Sequence, residues 1–343
     1  MLVLGVETSC DETAVALVRD GVEIVTSRVL TQVDRHRVFG GVVPDLAARE
    51  HVRTAAAVLA DALAESGGLR PDLVAVTERP GLQAALLSGI ATAEGIALGY
   101  GVPLVGVNHV EAHLVAPFLA AGKAPEYPFI SLVVSGGHTH LFHSVHALRH
   151  EIMGATIDDA AGEAFDKVAK VLGLGFPGGP ALERAASTGD PEKVTFKRPL
   201  LEKDILDFSF SGLKTAVLYT CFGQEKNGRP RTELRPEFRA SDVAASFQQV
   251  VVDVLIEKVR RAVCASGVSR VAVGGGVACN GPLRAALTQA AVQHGYELHL
   301  APRALCADNA AMVAARGHEL ASLGQGRWPE VSPRATWPRW QPA

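Results

Sequence analysis

The segment LVGVNHVEAH, residues 104–113, sets two imidazoles four positions apart directly after an apolar run. A helix starting near Asn108 would stack His109 and His113 on one face, because residues i and i+4 are neighbours there. Two neutral imidazoles on one rigid turn are half of a site for a divalent metal. A protease of the HExxH kind needs glutamate directly after the first histidine. Here Val110 stands in that place and Glu111 follows it, so that chemistry lacks its general base. By itself the pair also fits two surface or helix-end histidines, and a third ligand has to decide.

The order of the surrounding elements supplies a candidate. LVLGVETSCDETAVALV reads as strand, polar turn, strand, and FISLVVSGGHTHLFHSV repeats that order at 129–145. Each half later has a strand, a Gly/Pro turn and a helix, at 72–98 and 269–291. Each then has one more strand running into a polar turn and helix, at 103–119 and 297–320. The match is one of element order and not of identity. In open α/β sheets, ligands sit beyond the carboxyl ends of strands, and the polar residues fall there in both halves. His109 and His113 follow the last strand of the first half, and Asp308 follows the last strand of the second. If the halves face each other, the three converge as a His₂Asp set with open positions for substrate oxygens.

The chain of 343 residues is long enough for two ordinary domains, and 48% apolar residues can fill their cores. Stretches rich in Ala, Val, Leu and Gly alternate along it, as suits an α/β protein. A net charge of −3 gives no global basic field, so a nucleic-acid partner would need a local patch or another subunit. Cys10, Cys221, Cys264, Cys279 and Cys306 are scattered without CxxC spacing, which suggests reduced thiols and a cytoplasmic protein. Leu2 enters a strand without a charged leader, so no signal peptide is expected. No apolar run is long enough to span a membrane, so no membrane partner is expected either.

Two glycine turns point to phosphate or nucleotide. Ser135-Gly136-Gly137-His138-Thr139 lies between two strands, and Gly274-Gly275-Gly276 between a strand and a helix. Both expose backbone N–H groups. Neither is a Walker loop or a full GxGxxG, and the first also fits a plain tight hairpin. In DDAAGEAFDKVAKVLGL, Ala161, Ala164, Phe165, Val168 and Leu172 form an apolar stripe at helical spacing. Asp159, Glu163, Asp166 and Lys170 form the opposite stripe, which by itself reads as a solvated face. The stiff corner Phe176–Pro180 follows it. Residues 225–239, with Lys226, Arg229, Arg231, Arg235 and Arg239 against three glutamates, read as a mildly basic polar loop. A hairpin turn in each half plus the later glycine loop resembles the acetate and sugar kinase, Hsp70 and actin superfamily, whose members hold a nucleotide between two similarly folded domains. The expected fold is thus α/β, two such domains with the active site in the cleft between them. The expected limits are 1–125 for the first domain, completed by a C-terminal helix at about 307–325, and 126–306 for the second, with a helical insertion at about 155–240. A Pro- and Trp-containing tail, 326–343 with Trp328, Trp337 and Trp340, would follow and pack on the body.

A closer resemblance rests on ordered motifs: GVETSCDET at 5–13, GGVVPDLAAREH at 40–51, NHVEAH at 108–113, LVVSGGHT at 132–139, DDAAGEAFDK at 158–167, FPGGP at 176–180, FSFSGLK at 208–214, GGVACN at 275–280 and ADNAAM at 307–312. Together they are similar to the TsaD family, the bacterial tRNA adenosine threonylcarbamoyltransferases formerly described as glycoproteases, from Leu2 to about Trp328. The resemblance implies transfer of a threonylcarbamoyl group from threonylcarbamoyl-adenylate to the exocyclic amine of the adenosine 3′ of the anticodon, with release of AMP. It implies a metal held by His109, His113 and Asp308, with iron favoured over zinc. It implies that Val133, Val134, Ser135, Gly136 and Gly137 line the acyl-phosphate, that Asp166 and Gly179 hold the ribose, and that Asn280 meets the adenosine. Asp11 and Glu12 match family residues near the reacting end and are the candidate catalytic pair. The implied partners are tRNA and TsaB-like and TsaE-like subunits. A kinase or ATPase of the same superfamily, and a non-catalytic fold-related subunit, are the alternatives; neither needs the His-His-Asp set. The chain departs from the family pattern at Glu78-Arg79, where a glycine-rich turn is usual before Pro80-Gly81, at His140, where Gln is frequent, and at Ala278-Cys279.

Overall fold

A computed structural model describes residues 1–119, 122–225, 229 and 231–325. The tail with Trp328, Trp337 and Trp340, and Lys226 of the polar loop, lie outside the described residues. The chain forms two units: Met1–Tyr127 with Val145–His150 and the residues from His299 onward, and Pro128–Ser144 with Glu151–Leu298.

The first unit opens with an antiparallel meander, β1 (Leu2–Glu7), β2 (Glu12–Arg19) and β3 (Glu23–Thr31). The short helix α1 (Val33–Arg37) and the long α2 (Pro44–Glu65) follow, the latter with proline in its first turn, where no N–H is missed. β4 (Leu73–Arg79) runs parallel to β1, and α3 (Gln83–Tyr100) carries the chain back to β5 (Leu104–Asn108), parallel to β4. α3 stops at Gly101, whose φ of 65° is the left-handed cap that glycine adopts freely. The sheet order is β3-β2-β1-β4-β5. β1 is buried along its whole length, and β4 and β5 nearly so, as continuous apolar runs in a covered parallel sheet should be. Their carboxyl ends, Glu7, Arg79 and Asn108, therefore finish at one edge of the sheet, and α4 (His109–Leu119) starts from that edge.

The second unit repeats the plan. β6 (Phe129–Val134) pairs antiparallel with β7 (Thr139–His146), and β8 (Arg149–Ala155) extends the meander. α5 (Ala161–Val171), α6 (Gly178–Ala186), α7 (Ser211–Val217) and the 27-residue α8 (Ala240–Ser266) come next. β9 (Arg270–Gly274) runs parallel to β6, followed by α9 (Gly281–His294) and β10 (Glu297–Leu300). The order β10-β9-β6-β7-β8 mirrors that of the first sheet. The third meander strands were not legible as such, because β3 and β8 are partly exposed edge strands with mixed polarity.

The chain closes with α10 (Arg303–Cys306) and α11 (Ala310–Ser322). α11 lies against the first sheet through small residues. A Cβ on Gly5 would stand 2.2 Å from the Ala310 carbonyl and 2.9 Å from Ala314 N, and one on Gly317 would stand 2.3 Å from the Ala75 Cβ. This close approach brings Asp308, two residues before α11, into the first unit.

We expect Gly5→Ala to destabilise the protein by about 1–3 kcal/mol, the usual cost of forcing extra volume into a packed core. Gly95→Ala is the control: its site in α3 is open within 4 Å, and removing a helical glycine should be neutral or stabilising by roughly 0.5–1 kcal/mol. Thermal unfolding of the two variants would check this; equal midpoints would show that α11 can shift freely.

Candidate functional site

α4 begins because Asn108 caps it. Its Oδ1 accepts hydrogen bonds from Val110 N at 2.9 Å and Glu111 N at 3.3 Å. The two imidazoles consequently sit one turn apart, both buried, with ring centroids 4.8 Å apart in an edge-to-face arrangement. The third member is fixed by another cap. Asn309 Oδ1 accepts from Met312 N at 3.0 Å, and its amide donates to the Leu305 and Ala307 carbonyls, so the backbone on both sides of Asp308 is tied down. Asp308 Oδ1 lies 3.2 Å from His113 Nε2 and 3.5 Å from His109 Nε2. One ligand atom from each of the three residues falls within 4.8 Å of the others.

A residue not singled out in the sequence orients this group. Glu7 ends β1 with no exposed surface. Its carboxylate accepts from Ser9 N at 2.5 Å and from Thr77 Oγ1 at 2.6 Å, and it faces His109 Nδ1 at 3.0 Å. Ser9 Oγ also lies 3.2 Å from that nitrogen. A carboxylate on one ring nitrogen fixes the tautomer and leaves the other nitrogen as the ligand atom, the arrangement common behind metal-bound histidines. Only its position at the end of a fully buried strand could have marked Glu7 in the sequence.

The donor set suits a divalent cation, and so does the field. Burial opposes charge on His109, but the Asp308 and Glu7 carboxylates outweigh it and carry its pKa up to about 9. Burial, helped by the Asp308 and Asp11 carboxylates, pushes Glu12 up to about 9. Burial also works against charge on Glu7, yet the attraction and hydrogen bond of His109 keep it below the usual carboxylate range. Asp11 and Glu12 thus stand beside the His-His-Asp group in one acidic cluster. His113 Nδ1 is buried without a hydrogen-bond partner, so its ring still has unused capacity.

The other predicted site residues gather in the second unit. Val133 and Val134 end β6, and the Ser135–Gly137 turn closes on itself through Ser135 N to the His138 carbonyl at 2.8 Å and His138 N to Ser135 Oγ at 3.2 Å. Two other segments touch this turn with bare backbone. A Cβ on Gly162 would stand 2.6 Å from the Ser135 carbonyl, and one on Gly275, whose φ is 95°, would stand 2.4 Å from the Val134 carbonyl. Gly136, Gly137 and Gly179 face open space. Asp166 is half-buried on a face whose Glu163 and Lys170 are exposed, and it has a structural partner: its Oδ1 accepts from Gly178 N at 2.7 Å and pins the start of α6. Further along α6, Glu183 accepts from Gly281 N at 2.9 Å and from Asn280 Nδ2 at 3.3 Å. Asn280 is the N-cap of α9, its Oδ1 accepting from Leu283 N at 3.0 Å, while Nδ2 also donates to Gln248 at 2.8 Å. α6 therefore joins Asp166, Gly179 and Asn280 in one frame, and Glu183 and Gln248 are members that the sequence did not reveal.

A family model described as TsaD, tRNA N6-adenosine threonylcarbamoyltransferase, matches residues 23–315. The chain is 50% identical over 340 residues to the tRNA N6-adenosine threonylcarbamoyltransferase of Geobacter sulfurreducens, covering 98% of this chain and 97% of that one. It is 49% identical over 340 residues to the protein of that name from Geobacter sp. strain M21, covering 98% and 96%. The Thermotoga neapolitana protein of that name is 47% identical over 324 residues, covering 94% and 95%. Among solved structures, full-length HypF in a phosphate- and nucleotide-bound form matches with a TM-score of 0.61 at 13% identity, covering 95% of this chain and 47% of that chain. The HypF structure from T. kodakarensis gives 0.62 at 15% identity, covering 94% and 48%. These two likenesses bear on the fold alone, which is of the actin-like ATPase and sugar kinase type.

The electrostatics give a signed expectation. His109 and Glu12 titrate above their ordinary values of 6.5 and 4.5, so in each case the folded state keeps a proton that the unfolded chain releases. Their contributions are present at low pH and are lost as pH rises towards about 9. His113, lowered by burial, and Glu7, lowered by His109, act only below their ordinary values of 6.5 and 4.5. Chelator-treated protein should therefore lose thermal stability between about pH 7 and 9, and Glu12→Gln should flatten the slope. A constant or rising midpoint across that window would contradict the field described here.

Proposed function

Because the chain belongs to the TsaD family, we propose that it transfers a threonylcarbamoyl group to N6 of a tRNA adenosine, the one 3′ of the anticodon, from threonylcarbamoyl-adenylate. The observation that carries the reading is the joining of His109, His113 and Asp308, with ligand atoms within 4.8 Å, in a chain so closely related to proteins of that name. Identities of 49–50% to transferases do not favour a kinase or a non-catalytic subunit.

An adenine amine is a poor nucleophile, because its lone pair is delocalised into the ring. The acyl carbon must therefore be strongly activated, and a mixed anhydride with AMP is so activated. The new N–C bond forms as the C–O bond to phosphate breaks, AMP departs, and the amine gives up a proton. A divalent ion, iron by family likeness, held by His109, His113 and Asp308 would neutralise charge growing on the phosphate or carbonyl oxygen. Glu7 keeps the His109 tautomer and ring plane fixed. Asp11, beside a Glu12 that stays protonated to about pH 9, is the base we assign to the amine proton. Val133 to Gly137 hold the acyl-phosphate against backbone N–H groups. Asp166 and Gly179 hold the ribose hydroxyls at the head of α6. Asn280, with its side chain engaged as a cap, sets the edge of α9 against the adenosine.

The net charge of −3 leaves tRNA affinity to local patches and to other subunits. We therefore infer that the chain works in the cytoplasm with TsaB-like and TsaE-like partners. No described helix is long and apolar enough to cross a membrane.

The decisive experiment is reconstitution with tRNA, threonylcarbamoyl-adenylate and the partner subunits, followed by nucleoside analysis; absence of modified adenosine would refute the reading. His109→Ala combined with His113→Ala should lose both bound metal and transfer, and full metal retention would remove the assignment. Asp166→Ala should keep its metal and lose about 1.5–3 kcal/mol of donor affinity, roughly one to two decades in Kd, measured by titration with AMP or a stable adenylate analogue. An unchanged Kd would make Asp166 purely a support for α6.

A further inference from the structure

Arg316 is 1% exposed and is the largest fully buried side chain among the described residues. From α11 it reaches α4. Its Nη2 and Nε donate to Glu111 Oε2 at 2.6 and 3.2 Å, its Nη1 donates to Glu319, and Tyr127 donates to the other Glu319 oxygen at 2.6 Å. Glu111 sits midway between His109 and His113 in sequence. At about 100° per residue, it points to the opposite side of α4 from both. α4 is therefore tied at two points, to the turn before α11 and to α11 itself. One joint is Asp308 with the two histidines; the other is Glu111 with Arg316, about two turns into α11.

The second joint adds an ionic lock, further along α11, to a contact otherwise made by apolar and small residues. α11 meets the sheet through Ala310, Ala314 and Gly317, against Gly5 and Ala75. At these positions the small residues let helix and sheet approach closely. The first joint holds only the entry to α11, because Asp308 stands two residues before the helix. A triad of a buried arginine between two half-buried glutamates is also a poor way to gain stability, because desolvation offsets much of the attraction, and apolar side chains of similar volume often serve as well or better. What the triad adds is one defined geometry.

We propose that the Glu111–Arg316–Glu319 clamp is a positioning device for the metal centre. It sets the register of α11 against α4 so that Asp308 stays within reach of both imidazoles. This inference rests on the metal reading above.

The test uses the full chain, Co²⁺ as the probe, chelator competition for Kd, the visible Co²⁺ spectrum for ligand geometry, and thermal unfolding. Glu111→Gln keeps size and some hydrogen bonding. It should fold, retain all three ligands, weaken Co²⁺ binding roughly 10- to 100-fold as loss of outer support does elsewhere, and shift the spectrum. A variant with Glu111→Met, Arg316→Met and Glu319→Met together should keep or raise the unfolding midpoint while binding Co²⁺ as poorly as Glu111→Gln. Wild-type Kd and spectrum in folded Glu111→Gln would overturn the clamp and leave the metal reading intact. No Co²⁺ binding by the unsubstituted chain would overturn both. Loss of midpoint and affinity in step in the triple variant would reduce the triad to a structural role, and if that variant does not fold, Glu111→Gln alone decides.

Discussion

A single buried carboxylate governs the first unit. Glu7 sits where no water reaches it, and an unpaired anion there would cost several kcal/mol. It is tolerated because the turn after β1, β4 and α4 all bring partners to it: Ser9 N, Thr77 Oγ1 and His109 Nδ1. These partners lie 2, 70 and 102 positions away in sequence, so the anion can be satisfied only when the parallel sheet is correctly assembled. The same hydrogen bond that stabilises Glu7 turns the other face of His109 towards Asp308. Fold and site are thus consequences of one constraint, and a change that relieves it would loosen both.

The second unit reaches order by a different route, with backbone against backbone. Gly162 and Gly275 rest on the carbonyls of Ser135 and Val134 at distances that leave no room for a side chain. The turn between β6 and β7 is held by main-chain contacts and stays open on the side of Gly136 and Gly137. A ligand phosphate meeting such a loop finds N–H groups already placed, which lowers the ordering cost of binding. α6 extends the principle, since Asp166 fixes its first residue and Glu183 ties its middle to Asn280 at the head of α9.

What the sequence disclosed follows from these distances. The His109–His113 spacing is local and helical, so it was legible at once, and the doubled order of elements pointed to Asp308. Glu7 lies within GVETSCDET without a mark of its own, because Thr77 and His109, its distant partners, come from β4 and α4 and no local pattern shows them. Asp166 read as a member of a solvated stripe; its bond to Gly178 depends on how the corner at 176–180 folds back on α5. Asn280 was legible as a residue opening a helix, but its second role, donating to Gln248 and Glu183, needs α6 and α8 in place. Arg316 gave no signal: an arginine in a helix is ordinarily a surface residue, and only the packing of α11 on the sheet shows that it is enclosed.

The acidic character of the first-unit cluster has a further consequence for the chemistry proposed. The donor is an adenylate and the acceptor a nucleic acid, so both substrates carry negative charge. A cluster of Glu7, Asp11, Glu12 and Asp308 would repel them if every member were ionised and nothing balanced it. Two features of the residues oppose this. Glu12 is kept protonated to about pH 9, and His109 holds its own proton to about 9 in the field of Asp308 and Glu7. A divalent cation held there would displace the His109 proton and set two positive charges against Glu7, Asp11 and Asp308. The negative charge left to oppose an anionic donor would then be smaller than the acidic composition suggests.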